Sequence, residues 1–155
     1  MSHLLHPPLL DEVGLVSALR WYLEGLTQRS GIETSMEVHP PEFCRLAPEL
    51  ETAVFRIVQE ALTNVFRHSE ANRTWVTLKQ RKDRVLVTVR DNGKGLREET
   101  VKLRPGSIGV GIGGMRQRVE EFGGELQLTN GNPGAMVEVT IPVNGTASQP
   151  IRATA

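Results

Sequence analysis

Residues 48–68 carry the feature that most narrows what this chain can fold into. Leu50, Val54, Ile57, Val58, Ala61, Leu62 and Val65 recur at three- and four-residue steps, which lays a single apolar stripe along a helix. Pro48 suits the first turn, where a missing N–H costs no hydrogen bond. A helix with one apolar stripe must bury it against a second layer, and the flanking segments supply that layer. Upstream, Leu15, Ala18, Leu19, Tyr22, Leu23 and Leu26 form another helical face, with Asp11 near its start as a cap and Ser30-Gly31 at its end. Residues 32–38 alternate weakly, as an edge strand would, before Pro40-Pro41 breaks the chain.

Downstream, residues 74–79 (TWVTLK) and 85–89 (VLVTV) flank the charged turn 81–84 and read as an antiparallel hairpin. A glycine-rich stretch with one proline, residues 91–108, shows no sustained period and is expected to be a long loop, which inside a compact domain is usually functional. A third helix over 111–122 ends at Gly123-Gly124, and two strands, 125–129 and 136–141, close the domain around a turn at 130–134. The order predicts an α/β (α+β) two-layer sandwich, with three helices covering one face of a mixed, mostly antiparallel sheet. After Pro142 the residues are small and polar, so 144–155 are expected to be a disordered tail.

Charge and composition exclude several functions. The 155 residues carry 18 Lys+Arg against 18 Asp+Glu, where a nucleic-acid binder or a polybasic membrane anchor would show a clustered basic excess. The single cysteine, Cys44, excludes a disulfide framework or a thiolate zinc cage and suits a reducing cytoplasm. No apolar run approaches the roughly 18–20 residues of a membrane span, and the first eight residues lack the pattern of a signal peptide. Cytoplasmic residence is the resulting expectation.

Three polar motifs carry the chemistry. Glu60, Asn64, Arg67 and His68 share one stripe at about 100° per residue, bordering the apolar face. They are either a solvated helix flank or a cleft wall in which the Asn64 oxygen, a hard ligand, would suit Mg²⁺ bound to phosphates. Asp91-Asn92-Gly93-Lys94-Gly95 follows an apolar strand. It is either a turn or a carboxylate placed to accept from an exocyclic amine, with glycines that admit a ligand to the backbone. Gly109-Val110-Gly111-Ile112-Gly113-Gly114 opens the third helix. It contains G-x-G-x-x-G, yet a loop precedes it and no acidic residue closes the next strand, so a dinucleotide fold is excluded. What remains is a flexible joint or a phosphate-binding helix N-terminus.

In combination, an N-x-x-[KR]-H helix, D-x-G-x-G after a hairpin, a loop, and G-x-G-[IL]-x-G-M opening a helix resemble the ATP-binding domain of bacterial sensor histidine kinases. The same superfamily contains gyrase B, Hsp90 and MutL. Residues 55–68 (FRIVQEALTNVFRH) and 109–119 (GVGIGGMRQRV) are similar to the kinases paired with LuxR-type response regulators, and 5–19 (LHPPLLDEVGLVSAL) resemble their link from the dimerisation helices. The resemblance covers residues 5–142 and implies a Bergerat ATP-binding fold over 11–143, preceded by the end of that linker at 1–10.

The resemblance also implies roles. Asn64 would coordinate Mg²⁺, with Glu60 one turn earlier and Arg67 and His68 beside the phosphates, making Glu60, Asn64 and His68 the catalytic set. Asp91 would bind the adenine amine, Gly93, Gly95 and Leu96 would shape that end, and 96–108 would be the ATP lid. Gly109, Val110, Gly111, Ile112, Gly114 and Met115 would close over the phosphates. The implied chemistry is transfer of the γ-phosphoryl group of ATP to a histidine on a dimerisation domain, for relay to a LuxR-type regulator, with no direct contact to nucleic acid or membrane.

Two departures stand out. The Gly-Thr step common before the last strand is Gly134-Ala135 here, which removes a hydroxyl near the adenine. No histidine sits on a helix followed by an acidic residue: His6 and His39 precede Pro-Pro, His3 lies near the start, and His68 belongs to the nucleotide helix. The chain is therefore expected not to phosphorylate itself, and, because dimerisation in the family resides mainly in helices it lacks, to be monomeric. Two alternatives share the motifs, a gyrase- or MutL-like ATPase using Glu60 to activate water and an anti-sigma-factor serine kinase. A degenerate domain that binds no nucleotide is a third.

Overall fold

The computed structural model describes residues 8–104, 106 and 110–143. Five strands form one sheet in the order β1-β2-β3-β5-β4, with β1 Glu33–His39, β2 Arg73–Gln80, β3 Arg84–Asp91, β4 Glu125–Asn130 and β5 Ala135–Pro142. Only β1 and β2 run parallel; the other three pairings are antiparallel. The expected mixed, mostly antiparallel sheet is therefore present, and the hairpin is in the expected place, longer by one or two residues at each end.

Helices α1 Pro8–Ser30, α2 Pro48–Asn64 and α4 Val110–Glu121 cover one face. Strand alternation explains why. Val76 and Leu78 on β2, Val85, Val87 and Val89 on β3, and Val139 and Ile141 on β5 all point to one side. They meet Leu19, Val54, Val58, Leu62 and Val119 in a continuous buried core. Each such side chain, moved out of water, contributes roughly 1.5–3 kcal/mol. Tyr22 of α1 packs edge-on to Phe55 of α2, ring centroids 5.9 Å apart, which joins the two long helices.

Four features differ from the sequence expectation. First, α1 starts at Pro8 and is interrupted at Gly14, whose φ of 87° is non-helical; glycine tolerates that backbone and Asp11 lies inside the helix instead of capping it. Second, α2 stops being α-helical at Asn64 and continues as a π-helical turn, Val65–Ser69, closed by left-handed Glu70. Third, the loop after β3 holds a one-turn helix, α3 Glu98–Val101. Fourth, Asp91 ends β3 and does not open the loop. Residues 1–7 of the expected linker at 1–10, residues 105 and 107–108 of the expected lid, Gly109 and the tail at 144–155 lie outside the described residues. Among the described residues, no helix is long and apolar enough to cross a membrane.

Candidate functional site

The helix layer and the sheet part at one end, leaving a cleft of about 660 Å³, within the range of small-molecule sites. One wall is the last turn of α2. Glu60 and Asn64 line it, and the π-helical turn adds Arg67, His68 and Ser69. The polar stripe therefore lines the cleft, with Glu60 and Asn64 half-buried and Arg67 and His68 exposed at its end. A π turn takes i→i+5 bonds and widens the helix, a device frequent at functional sites. Its exit is held by Ser69, whose hydroxyl donates to the Val65 carbonyl at 2.7 Å and accepts from Ala71 N–H at 3.0 Å.

The deep end is built around Asp91, which is 4% exposed. Its Oδ1 accepts from the Gly93 N–H at 2.7 Å. Burial pushes the carboxyl pKa up, while the backbone N–H groups of Gly93 and Ala135 and the charge of Arg90 pull it down. Gly93 has no alternative as a residue type: a Cβ there would overlap the Ser69 carbonyl oxygen, the group that accepts from Lys94 N–H at 2.8 Å. The D-N-G-K-G loop is thus clamped to the end of the π turn. Gly134, at φ +96°, is needed for the same reason, because a Cβ would overlap the Asp91 carbonyl.

Around Asp91 the surfaces are apolar. Val89 of β3, Leu128 of β4 and Ala135 and Val137 of β5 face Ala61, Val65 and Ile112 across the cleft. A flat heteroaromatic ring fits between such walls, with one carboxylate at its edge. Toward the mouth the lining turns charged, with Arg67, His68, Lys94 and Arg97 joining Glu60. An apolar end with one acceptor, opening to a cationic mouth, matches a base joined to phosphates. The loop leaving the cleft is fastened by Asn130, which accepts from Leu96 N–H at 2.7 Å and donates to Leu96 carbonyl oxygen at 2.8 Å.

The first turn of α4 forms the opposite lip through Gly111 and Ile112. A Cβ at Gly111 would overlap Glu60 Oε2 and lie 3.5 Å from Asn64 Oδ1, so two hard oxygens converge where the α4 backbone comes closest. That donor set fits Mg²⁺, which takes a few protein oxygens and completes its shell with phosphate and water.

Of the residues singled out from sequence, Glu60, Asn64, Arg67, His68, Asp91, Gly95, Leu96, Gly111 and Ile112 line the cleft. Gly93 acts from behind through its N–H. Gly114 has open space around it and Met115 is buried in the core at 2% exposure; neither lines the cleft. Val110 opens α4, and Gly109 lies outside the described residues. Sequence reasoning missed Ser69, Lys94 and the apolar floor of Val89, Leu128 and Val137, while Arg97 fell in the expected lid and Ala135 had been placed near the base. Lys94 stood inside a motif already singled out; the floor residues look like any alternating strand, and only their position at the sheet's end marks them.

The profile of the "Histidine kinase-, DNA gyrase B-, and HSP90-like ATPase" family matches residues 49–145. The chain is 34% identical over 135 residues to the signal transduction histidine-protein kinase/phosphatase DegS of Brevibacillus brevis, covering 86% of this chain and 34% of that protein. It is 33% identical over 139 residues to the sensor histidine kinase NarS of Mycobacterium tuberculosis, covering 90% and 32%. The chain thus spans about a third of the length of these relatives. Among solved structures, the histidine kinase domain of the Erythrobacter litoralis EL346 blue-light activated kinase superposes with a TM-score of 0.68 at 25% identity, over 84% of this chain and 62% of that one. With the fold, the cleft and these likenesses together, the chain belongs to the histidine kinase-, DNA gyrase B- and HSP90-like ATPase family, as an ATP-binding domain of the sensor histidine kinase kind.

Proposed function

We propose that residues 11–143 are the Mg-ATP-binding catalytic domain of a sensor histidine kinase. It would donate the γ-phosphoryl group to a histidine on a dimerisation domain reached through the linker at 1–10, for relay to a LuxR-type response regulator. The observation that carries this reading is the convergence of Asn64, Asp91 and Gly111 on one cleft from three separated stretches of chain. Asp91 accepts from the base amine while Val89, Val137 and Ile112 hold the ring. Arg67, His68 and Lys94 balance phosphate charge, and the N-terminal turn of α4 adds backbone N–H groups. Asn64 and Glu60 would hold Mg²⁺, which neutralises charge on the β- and γ-phosphates when bound.

In the reaction, the lone pair of the acceptor imidazole attacks the γ-phosphorus. The bond to the β-phosphate oxygen breaks, a P–N bond forms, and ADP leaves. These residues position and neutralise; none forms a covalent intermediate. Of the described histidines, His39 ends β1 and His68 lines the cleft itself, so on this reading the domain works on another domain's histidine.

Calorimetric titration with a non-hydrolysable ATP analogue tests the reading. Binding should be tighter with Mg²⁺ than without, and absence of binding in both would refute it. The water-activating alternative is favoured by one observation, that Glu60 and Asn64 line the cleft four residues apart. Glu60→Ala separates the two: steady-state ATP hydrolysis that is substantial in the parent chain and collapses in the variant would identify an ATPase, whereas a domain awaiting a histidine turns over little in either.

A further inference from the structure

Leu96 lines the cleft, and it is held by a residue that the proposed reaction does not use. Along β4 the positions that alternate toward the helix layer are Leu126, Leu128 and then Asn130. The two leucines are buried, whereas Asn130 is exposed at the strand's end. Its side-chain amide offers a donor and an acceptor side by side, as a peptide group does. Oδ1 accepts from the Leu96 N–H at 2.7 Å, and Nδ2 donates to the Leu96 carbonyl oxygen at 2.8 Å. Leu96 thus exchanges both of its backbone bonds with one side chain, as a hydrogen-bonded pair does in an antiparallel ladder.

The surroundings are shaped to this pairing. Gly95, at φ +86°, has no room for a side chain: a Cβ would lie 2.9 Å from Asn130 Oδ1 and 3.3 Å from the Gly134 carbonyl oxygen. The second glycine of D-x-G-x-G therefore lets the chain lie close against the turn between β4 and β5. That turn is itself closed, by the Gly131 N–H donating to the Gly134 carbonyl at 2.8 Å. Asn130 is also the cross-strand partner of Ala135, whose backbone N–H reaches the Asp91 carboxylate. One run of contacts therefore leads from the deep carboxylate through Ala135 and Asn130 to Leu96. Beyond it, α3 begins two residues later and packs on β4.

We propose that Asn130 is a positioning residue for the base: by taking both backbone groups of Leu96 it fixes that side chain against the bound ring. Without the clamp Leu96 visits other backbone conformations, the cleft is complete only part of the time, and apparent affinity falls by that fraction. The inference rests on the reading of Asp91 as the base acceptor and goes beyond it, because that reading assigns Asn130 nothing. An asparagine that merely favoured the turn into Gly131 would be replaceable by aspartate, which turns accept equally well. The clamp is not, since aspartate keeps the acceptor for the Leu96 N–H but sets a second oxygen against the Leu96 carbonyl.

Asn130→Asp and Asn130→Ala, alone and in a Leu96→Ala background, test it beside Asp91→Asn. Each protein is titrated with ADP and, by competition, with adenosine, and melted without nucleotide. Both single Asn130 variants should weaken ADP and adenosine alike, about 3- to 10-fold, the span of one net hydrogen bond. Asn130→Asp, which keeps size and turn preference, should melt close to the parent. In the Leu96→Ala background either change should add less than about twofold, because the side chain it places has gone. Parent-like binding by Asn130→Asp overturns the inference and leaves Asn130 a turn residue. A loss confined to ADP overturns it by moving the effect to the phosphates, and a full additive loss in Leu96→Ala overturns it by removing Leu96 from the path. Weakened binding in Asp91→Asn beside unchanged binding in both Asn130 variants overturns this inference alone. Unchanged binding in Asp91→Asn overturns the base assignment itself and the inference with it.

Discussion

Gly111→Ala should separate stability from nucleotide binding, because the two effects have different physical sources. Gly111 sits in the first turn of α4 with an ordinary helical backbone, and alanine improves on glycine in a helix by up to about 1 kcal/mol. The new Cβ would overlap Glu60 Oε2 and stand 3.0 Å from Glu60 Cδ, so the carboxylate must retreat by roughly 1 Å to reach an ordinary contact. The group displaced is the end of a flexible side chain, and moving it costs about 0.5–1.5 kcal/mol if the rotamer is strained. The two contributions nearly cancel, and at about 2–4 °C per kcal/mol for a chain of this size the melting temperature should move by only a few degrees.

Binding has no such compensation. The displaced carboxylate and the Asn64 amide, whose Oδ1 lies 3.5 Å from the same Cβ, are the groups read as holding Mg²⁺ and phosphate. Loss of one charge-assisted contact there costs about 1.5–3 kcal/mol, or about 10- to 150-fold in affinity for Mg-ATP. Calorimetry with Mg-ATP and melting without nucleotide measure both effects. A double-mutant cycle supplies the control: in a Glu60→Ala background the obstruction is gone, and Gly111→Ala should cost little more. Unaltered Mg-ATP affinity in a well-folded Gly111→Ala protein would refute the placement of the phosphate end between α2 and α4.

Asp91→Asn should weaken ADP about 10- to 150-fold, the worth of a charged acceptor. Because burial holds the Asp91 pKa above its ordinary 3.8, the folded chain binds that proton more tightly than the unfolded one. Its contribution to stability is complete below the unfolded value and is lost as pH rises through the folded one. The variant escapes that loss, so at pH 7 it should melt no lower than the parent, and a clear drop would contradict the sign. For the same reason, ADP affinity of the parent should decline on acidification sooner than an ordinary aspartate would allow. Gly93→Ala should behave differently from Gly111→Ala: its Cβ overlaps backbone, the Ser69 carbonyl, which cannot swing aside. A loss of about 1–3 kcal/mol in urea unfolding is expected, together with weaker nucleotide binding; unchanged stability would mean that the loop is not clamped there.

Local periodicity was enough to place the hairpin, all three long helices and the closing strands, since each element's burial follows from its own 3.6- or two-residue repeat. The motifs were legible for the same reason: Asn64, Asp91 and Gly111 each belong to short patterns with definite local geometry. Gly114 and Met115 show where a pattern outruns contact, because a motif names consecutive residues while a helix turns successive side chains away from the ligand. The π turn after Asn64 was invisible, as nothing in the residue types of 65–69 marks i→i+5 bonding, and the Lys94 N–H that meets the Ser69 carbonyl comes from a distant segment.

The amino-acid order therefore determined the elements, their buried faces and the residue types able to meet a nucleotide. Only the folded sheet decided that Asn130 meets Leu96, that Gly93 abuts Ser69, and that Glu60 reaches Gly111 across some fifty residues of chain. The physical reason is that a hydrogen-bond ladder or a helical repeat is specified by neighbours in sequence, whereas a cleft is specified by what distant segments leave unfilled when their apolar faces are pressed together.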